Sequence, residues 1–383
     1  MNTKNYPFDS ISLKEDLLKG LFKRGIYEYV GIQMEAIETI LKGKDLILQS
    51  QSGSGKSLVF SVPILENIDR TLKEPQALIL SNTRELAIQS AQFMETIGQY
   101  ISIDILTCIG GHSIRKDEER LVRGVQIISG TPGRVYDMIN RQCLNTSNIK
   151  YLVLDEVDEL LSGSFKSQIY EILSLLPKVQ FIFVSATIPH NVILLSEKFM
   201  DNPLSLLLRK ESINVHQIDQ FYIELYEENE KASKLLDLLE TIIYGQLIIF
   251  CNTIERTNWL FNRLKELGVS VNYLNSSMEQ FQRESILKSF RGGDSRVLVT
   301  TELAGRGIDI SQITHIINFD LPTSPKSYIH RIGRCGRFEK RGISISFVLK
   351  NEVNELFAIE DLYRIKIRKY NENSKTVLDR FIN

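Results

Sequence analysis

Lys56 and Ser57 close a glycine-punctuated turn, Gly53-Ser54-Gly55-Lys56-Ser57, and are the residues of this chain best suited to hold a phosphate. The apolar run Leu46-Ile47-Leu48 leads into the turn and Leu58-Val59-Phe60 leads out of it, the strand, loop and helix order of a P-loop. Gly53 and Gly55 let the backbone curl so that successive N–H groups, those of Ser52 and Ser54 included, point into one concavity. The following helix adds the positive end of its dipole. Lys56 is expected to reach the outer phosphates and the Ser57 hydroxyl to ligate Mg²⁺. The pattern's first glycine is Ser50 here, and a Gly/Ser-rich turn by itself is more often a plain loop. A second element supplies the missing chemistry: Tyr151-Leu152-Val153-Leu154 is an apolar strand running into Asp155-Glu156-Val157-Asp158. Its carboxylates emerge at the C-terminal edge of the strand, where open α/β sheets place their ligands. Asp155 is expected to hold the Mg²⁺ shell, and Glu156 to orient and deprotonate the attacking water. Together these two stretches imply a core that hydrolyses ATP or GTP.

The elements that must position these residues alternate along the chain. Candidate strands fall at 77–81, 103–109, 125–129, 151–155, 181–185 and 204–208, with helical patterns between them at 84–98 and 132–140. An amphipathic helix is expected over 8–23, and a second begins at Ile32-Gln33 and runs through Leu41. A polar segment without periodicity, 209–217, reads as a linker, after which strands at 221–225, 247–250, 271–274, 297–300, 316–319 and 343–348 alternate with helices again. Such alternation predicts mostly parallel sheets with helices on both faces. The expected organisation is two α/β domains, 1–208 and 218–383. The second lacks a phosphate loop but carries an arginine array, His330-Arg331-Ile332-Gly333-Arg334-Cys335-Gly336-Arg337. That division of labour suggests a nucleotide served by both domains.

Composition limits the alternatives. The 383 residues carry 46 Lys+Arg against 47 Asp+Glu, a net charge of -1, so any nucleic-acid binding must come from a local groove and not from a broadly basic surface. The charge-free stretch 179–196 is interrupted by Gln180, Ser185, Thr187, Pro189, His190 and Asn191 and does not suit a membrane span. Four scattered cysteines with no CxxC pair support neither a zinc site nor a disulfide framework, and an intracellular setting is expected.

In order and over nearly the whole chain, these motifs resemble those of the DEAD-box family of superfamily 2 RNA helicases. The resemblance is greatest to the subfamily of eukaryotic translation initiation factor 4A and its exon-junction relative. It implies tandem RecA-like domains, ATP and Mg²⁺ as cofactors, and RNA-stimulated ATP hydrolysis coupled to local, non-processive duplex unwinding. Gln33 resembles the family's adenine-reading glutamine within a region spanning 8–41, and Phe8 its upstream aromatic. Ile26 stands where the family has a base-stacking aromatic, and Tyr29 where it has proline. Arg84, Gly111, Thr131 and Arg134 in the first domain match RNA-contacting positions, as do Asn252, Gln280, Arg283 and Thr301 in the second. Such contacts read backbone more than bases. Ser185 and Thr187 resemble the motif that couples hydrolysis to strand separation, Asp309 the residue that accepts from the ATP ribose, and Arg334 and Arg337 the arginine fingers. Two departures stand out: Glu302 replaces an aspartate, and Asn275-Ser276-Ser277 replaces a His-Gly-Asp-like turn. The resemblance further implies a monomer in the cytoplasm, or alternatively the nucleus, working with scaffold or activator proteins in translation initiation. The alternative role is an ATP-gated RNA clamp in an exon-junction or other mRNP or rRNA-processing assembly.

Overall fold

The computed structural model describes residues 5–8, 11–50, 55–163, 165–207, 218–305, 308, 310, 312–336 and 341–371. Contacts divide the chain into two compact units at Leu208. The first contains β1 (Asn5–Pro7), α1 (Glu15–Lys23), β2 (Glu28–Val30), α2 (Gly31–Leu41), β3 (Leu46–Gln49), α3 (Lys56–Asn67), β4 (Ala77–Ser81), α4 (Arg84–Ile97), β5 (Ile105–Cys108) and α5 (Ile114–Arg123). It continues with β6 (Ile127–Gly130), α6 (Pro132–Asn140), β7 (Tyr151–Asp155), α7 (Val157–Ser162), α8 (Lys166–Leu175), β8 (Gln180–Ser185), α9 (His190–Phe199) and β9 (Leu204–Leu206). Seven strands form one parallel sheet in the order β5-β6-β4-β7-β8-β3-β9. Every residue of β4 and β7 is buried, as expected of strands covered on both faces. One apolar cluster, including Leu17, Ile37, Phe60 and Met94, packs on one face of the sheet. A second, including Leu106, Met138, Leu160 and Phe183, packs on the other.

Register determines what meets at the sheet's edge. Ser81 pairs with Asp155, Asp155 with Val184, and Gln49 with Ser185. The C-terminal ends of β4, β7, β8 and β3 are therefore level, and the loops leaving them converge.

The second unit contains β10 (Ile218–Leu225), α10 (Glu230–Thr241), β11 (Gln246–Cys251), α11 (Ile254–Glu266), β12 (Val271–Leu274), α12 (Gln280–Gly292), β13 (Val297–Thr301) and α13 (Glu302–Gly305). It closes with β14 (Ile313–Asn318), α14 (Pro325–Ile332), β15 (Gly342–Leu349), α15 (Val353–Tyr363) and β16 (Ile367–Lys369). Its sheet is also parallel and seven-stranded, in the order β12-β13-β11-β14-β15-β10-β16. The expected α/β class and parallel sheets are as found.

One expectation needs correction. The helix expected from residue 8 begins at Glu15, and residues 5–7 form a strand instead. That strand pairs antiparallel with β2, Tyr6 opposite Tyr29, in a small ribbon separate from the main sheet. The interdomain segment 209–217 lies outside the described residues.

Candidate active site

Within the first unit, β3 and β7 deliver the phosphate-binding and acidic residues to the same edge. Gly55 caps α3 with φ +79°, a left-handed conformation that costs glycine little and other residues much more. Lys56 follows at the head of α3, and its Nζ lies 2.5 Å from Glu156 Oε1. Both side chains are largely shielded, at 9% and 13% exposure. Glu156 itself sits at φ +55°, ψ +51°, a left-handed conformation unusual for a residue with a side chain. Strain of this kind is found where a side chain has to be aimed. Here it turns the glutamate from the end of β7 toward Lys56.

Asp155 ends β7 and is buried, and its Oδ1 has no hydrogen-bond partner among the described residues. Burial raises its carboxyl well above the usual carboxylate range; Lys56 opposes that shift and the neighbouring Glu156 reinforces it. A buried carboxylate oxygen without a donor fits a divalent cation. Asp155, with the Ser57 hydroxyl, would hold the Mg²⁺ of a bound nucleotide.

The Ser185-Ala186-Thr187 segment is tied into this edge. Ser185 is fully buried and its Oγ accepts the Asp158 N–H at 3.4 Å, while the Thr187 hydroxyl donates to Asp158 Oδ2. The Ser50 N–H donates to the Ser185 carbonyl at 2.8 Å, and Gln49 Nε2 to the Ala186 carbonyl at 3.1 Å. Asp158 is therefore the link between the acidic stretch and Thr187. The sequence pattern assigned it no role.

Gln33 opens α2, where its Oε1 accepts the Val30 N–H at 3.0 Å. Its Nε2 lies so close to Gly55 that a Cβ there would stand 2.5 Å away. The glutamine thus braces the phosphate-loop exit as well as its own helix. Phe8 is 1% exposed, with its ring centroid 4.7 Å from that of Tyr29 at an interplanar angle of 78°. Both rings belong to the core of the unit, so in this structure Phe8 supports the ribbon from within and presents no face to a ligand. Ser52, Gly53 and Ser54 lie outside the described residues.

The turns expected to meet RNA gather at the ends of β5 and β6. The Arg84 guanidinium covers Gly110, where a Cβ would meet Nη2 at 3.2 Å, and Gly111 has φ +90°. Thr131 caps α6 and its N–H donates to the Cys108 carbonyl at 3.1 Å. Arg134 points inward: Nη1 donates to Asp117 Oδ2 at 2.7 Å and Nη2 to the His112 carbonyl at 2.7 Å. Arg134 is therefore a brace for the glycine turn here. Burial raises the Asp117 carboxyl above its ordinary value, against the pull of Arg134.

In the second unit, Asp320 organises the corresponding turn. Its Oδ2 accepts the Asn252 N–H at 3.0 Å, and its Oδ1 lies 2.9 Å from Arg256 Nε and 3.3 Å from Lys231 Nζ. Its main-chain carbonyl accepts Arg331 Nη1 at 2.9 Å, and Arg331 Nη2 reaches Asn252 Oδ1 at 2.7 Å. Arg331 is almost fully buried and lies 3.6 Å from Glu302, so the glutamate at this position still faces the arginine helix. Thr301 ends β13 at 8% exposure, and Gln280 and Arg283 lie on the buried face of α12. Arg334 is also tucked in, with Nε donating to the His330 carbonyl at 3.1 Å and Nη1 to that of Ile308 at 3.4 Å. Asp309 and Arg337 lie outside the described residues.

A phosphate-loop lysine, a buried carboxylate with one oxygen lacking a donor and a strained glutamate on parallel strand ends form the chemistry of nucleoside triphosphate hydrolysis. Residues 31–195 match the DEAD/DEAH box helicase family, and residues 230–339 match the helicase conserved C-terminal domain. The chain belongs to the DEAD-box family of ATP-dependent RNA helicases. Among relatives of this helicase, ATP-dependent RNA helicase eIF4A of Mycosarcoma maydis is 45% identical over 94% of this chain and 88% of its own length. ATP-dependent RNA helicase FAL1 of the same organism is also 45% identical, over 94% of this chain and 91% of its own. Among solved structures, S. cerevisiae Dbp5 bound to RNA and ADP BeF3 superposes with a TM-score of 0.93 at 32% identity, covering 98% of the helicase and 100% of Dbp5. The helicase is thus an eIF4A-like enzyme with two RecA-like units, and no helix among its described residues is long and apolar enough to cross a membrane.

Proposed function

We propose that this helicase uses ATP hydrolysis to separate short RNA duplexes during translation initiation. The observation that carries the catalytic part is the Lys56–Glu156 pair beside the buried Asp155. The outer phosphates of ATP compete for Lys56, and Glu156, released from it, accepts a proton from the attacking water. Mg²⁺, when bound, would neutralise charge on the phosphate oxygens. Arg334 and Arg337 are assigned to the γ-phosphate, and the bonds of Arg334 to the His330 and Ile308 carbonyls fix the direction of its guanidinium. Arg84, Gly111 and Thr131 in the first unit are assigned to the RNA backbone, with Asn252 and Thr301 in the second. Arg134, Gln280 and Arg283 keep the same assignment, and Arg134 and Arg283 also hold the turns that carry these contacts. Thr187, bonded to Asp158, is assigned to relaying the nucleotide state to the bound strand.

Support for the initiation role comes from relatives. Alongside the Mycosarcoma maydis eIF4A, the protein named Eukaryotic initiation factor 4A in Caenorhabditis elegans is 44% identical over 96% of this chain. A cytoplasmic setting and a scaffold protein as partner belong to the same reading.

Steady-state ATP turnover with and without single-stranded RNA tests the catalytic part, for wild type and Glu156→Gln. RNA should stimulate the wild type, and the variant should lose about 10²–10⁴ in kcat while keeping its RNA binding. A variant that turns over normally would remove Glu156 as the base. Adding the protein back to a depleted cell-free translation extract tests the pathway, since failure to restore translation of a capped, structured mRNA would assign the same enzyme to another RNA assembly.

A further inference from the structure

The second unit exposes an aromatic ring, Phe281, in the first turn of the helix that follows β12. We propose that Phe281 is a base-stacking residue that gives this helicase a purine preference at one position of the bound strand; the proposal rests on the RNA-binding reading above. β12, β13 and β11 are neighbours in the sheet and end at Leu274, Thr301 and Cys251. Ligands of open parallel sheets gather outside such ends. The turn leaving β12 is held by its own polar groups. Asn275 Oδ1 accepts the Ser277 N–H at 3.1 Å and its hydroxyl at 2.7 Å, and the Asn275 carboxamide donates to Asn258 at 3.1 Å. The Asn275 carbonyl accepts Arg283 Nη1 at 2.7 Å, and Gln280 Nε2 donates to Glu284 at 2.9 Å.

The helix that follows buries Gln280, Arg283, Leu287 and Phe290, one continuous helical face. Phe281 falls outside that face and is 69% exposed in the first turn. The core does not need the ring. Backbone contacts carry no base information, whereas a phenyl ring offers a face to any base and holds best those that stack most strongly. Phe281 is therefore where base identity is felt, with purine bound more tightly than pyrimidine and an abasic nucleotide bound most weakly.

The test uses the full chain with a non-hydrolysable ATP analogue and fluorescein-labelled oligoadenylate, oligouridylate and single-abasic strands, read by anisotropy. Wild type should bind oligoadenylate more tightly than oligouridylate. Phe281→Ala should lose about tenfold in affinity for oligoadenylate and erase the base difference. Phe281→Trp should restore it, and Phe281→Lys should recover affinity through phosphate contact without recovering the preference. RNA-free ATP turnover should be unchanged in all three, which also reports that they fold. A base difference that survives in Phe281→Ala or Phe281→Lys would overturn the proposal while leaving RNA binding intact. A wild type that binds none of the strands would overturn the RNA-binding reading itself, and the proposal with it.

Discussion

Glycine at position 55 answers to two constraints at once. Its φ of +79° disfavours any side chain, and a Cβ would stand 2.5 Å from Gln33 Nε2. Gly55→Ala should cost about 1–2 kcal/mol through the backbone alone and also push Gln33 away from the head of α3. The expected result is a lower urea midpoint and a raised KM for ATP, and a variant with unchanged KM would show that Gln33 does not brace the phosphate loop. The residues that matter most here were readable by type: a lysine after glycine, and paired carboxylates after an apolar strand. Their supports were not readable. Asp117 and Asp320 look like ordinary surface acids in the sequence and Asp158 is the member of its motif without an assigned role, and only folding brings them to Arg134, Asn252 and Thr187. The side chain of Phe8 shows the converse, since its burial against Tyr29 depends on a pairing that no local spacing encodes.

At the scale of elements, α1 docks on α4 at Gly20. A Cβ on Gly20 would stand 1.8 Å from the Ile97 carbonyl oxygen, so the two helices meet backbone to backbone. Backbone cannot yield as a flexible side chain can, and Gly20→Ala should separate the helices at a cost of about 1–3 kcal/mol. Limited proteolysis would register this as faster cleavage around α1, and an unchanged cleavage rate would place the close approach elsewhere. Regular elements were largely legible, because buried parallel strands are continuous apolar runs and their crossover helices carry a 3.6-residue period. β7 and α6 run where the sequence places them, at 151–155 and 132–140. The β1–β2 ribbon was not legible. It joins residues 5–7 to residues 28–30 around an intervening helix, and Tyr29, unlike a proline, keeps an N–H for strand pairing.

Over the whole molecule, each unit has its own apolar clusters on the two faces of its own sheet, so their stabilities can respond differently to conditions. In the second unit His315 is buried, its Nδ1 2.8 Å from Thr314 Oγ1, and its Nε2 has no hydrogen-bond partner among the described residues. Burial lowers its pKa from 6.5 to about 4. The unfolded chain therefore takes up the proton first as pH falls. The contribution of a neutral His315 is fully present above pH ~6.5, declines by ~1.4 kcal/mol per pH unit below it, and is gone under pH ~4. Amide exchange in β14, followed in the full chain from pH 7 to pH 4.5 after correction for intrinsic rates, should show protection falling with pH. His315→Leu should flatten that fall, and a fall of the same size in the variant would assign it to other groups.

The strand order of the first unit also bears on how the chain is made. β3, which feeds the phosphate loop, is the first strand of its sheet to be synthesised, yet in the sheet it lies between β8 and β9. Its partners are Ile182 to Ser185 on one side and Leu204 to Leu206 on the other. A ribosome must therefore deliver both late strands before β3 can be seated. Until then the nascent chain carries Lys56 and Ser57 with no sheet to hold them. The nucleotide site, encoded near the start, is among the last parts of its unit to come into being.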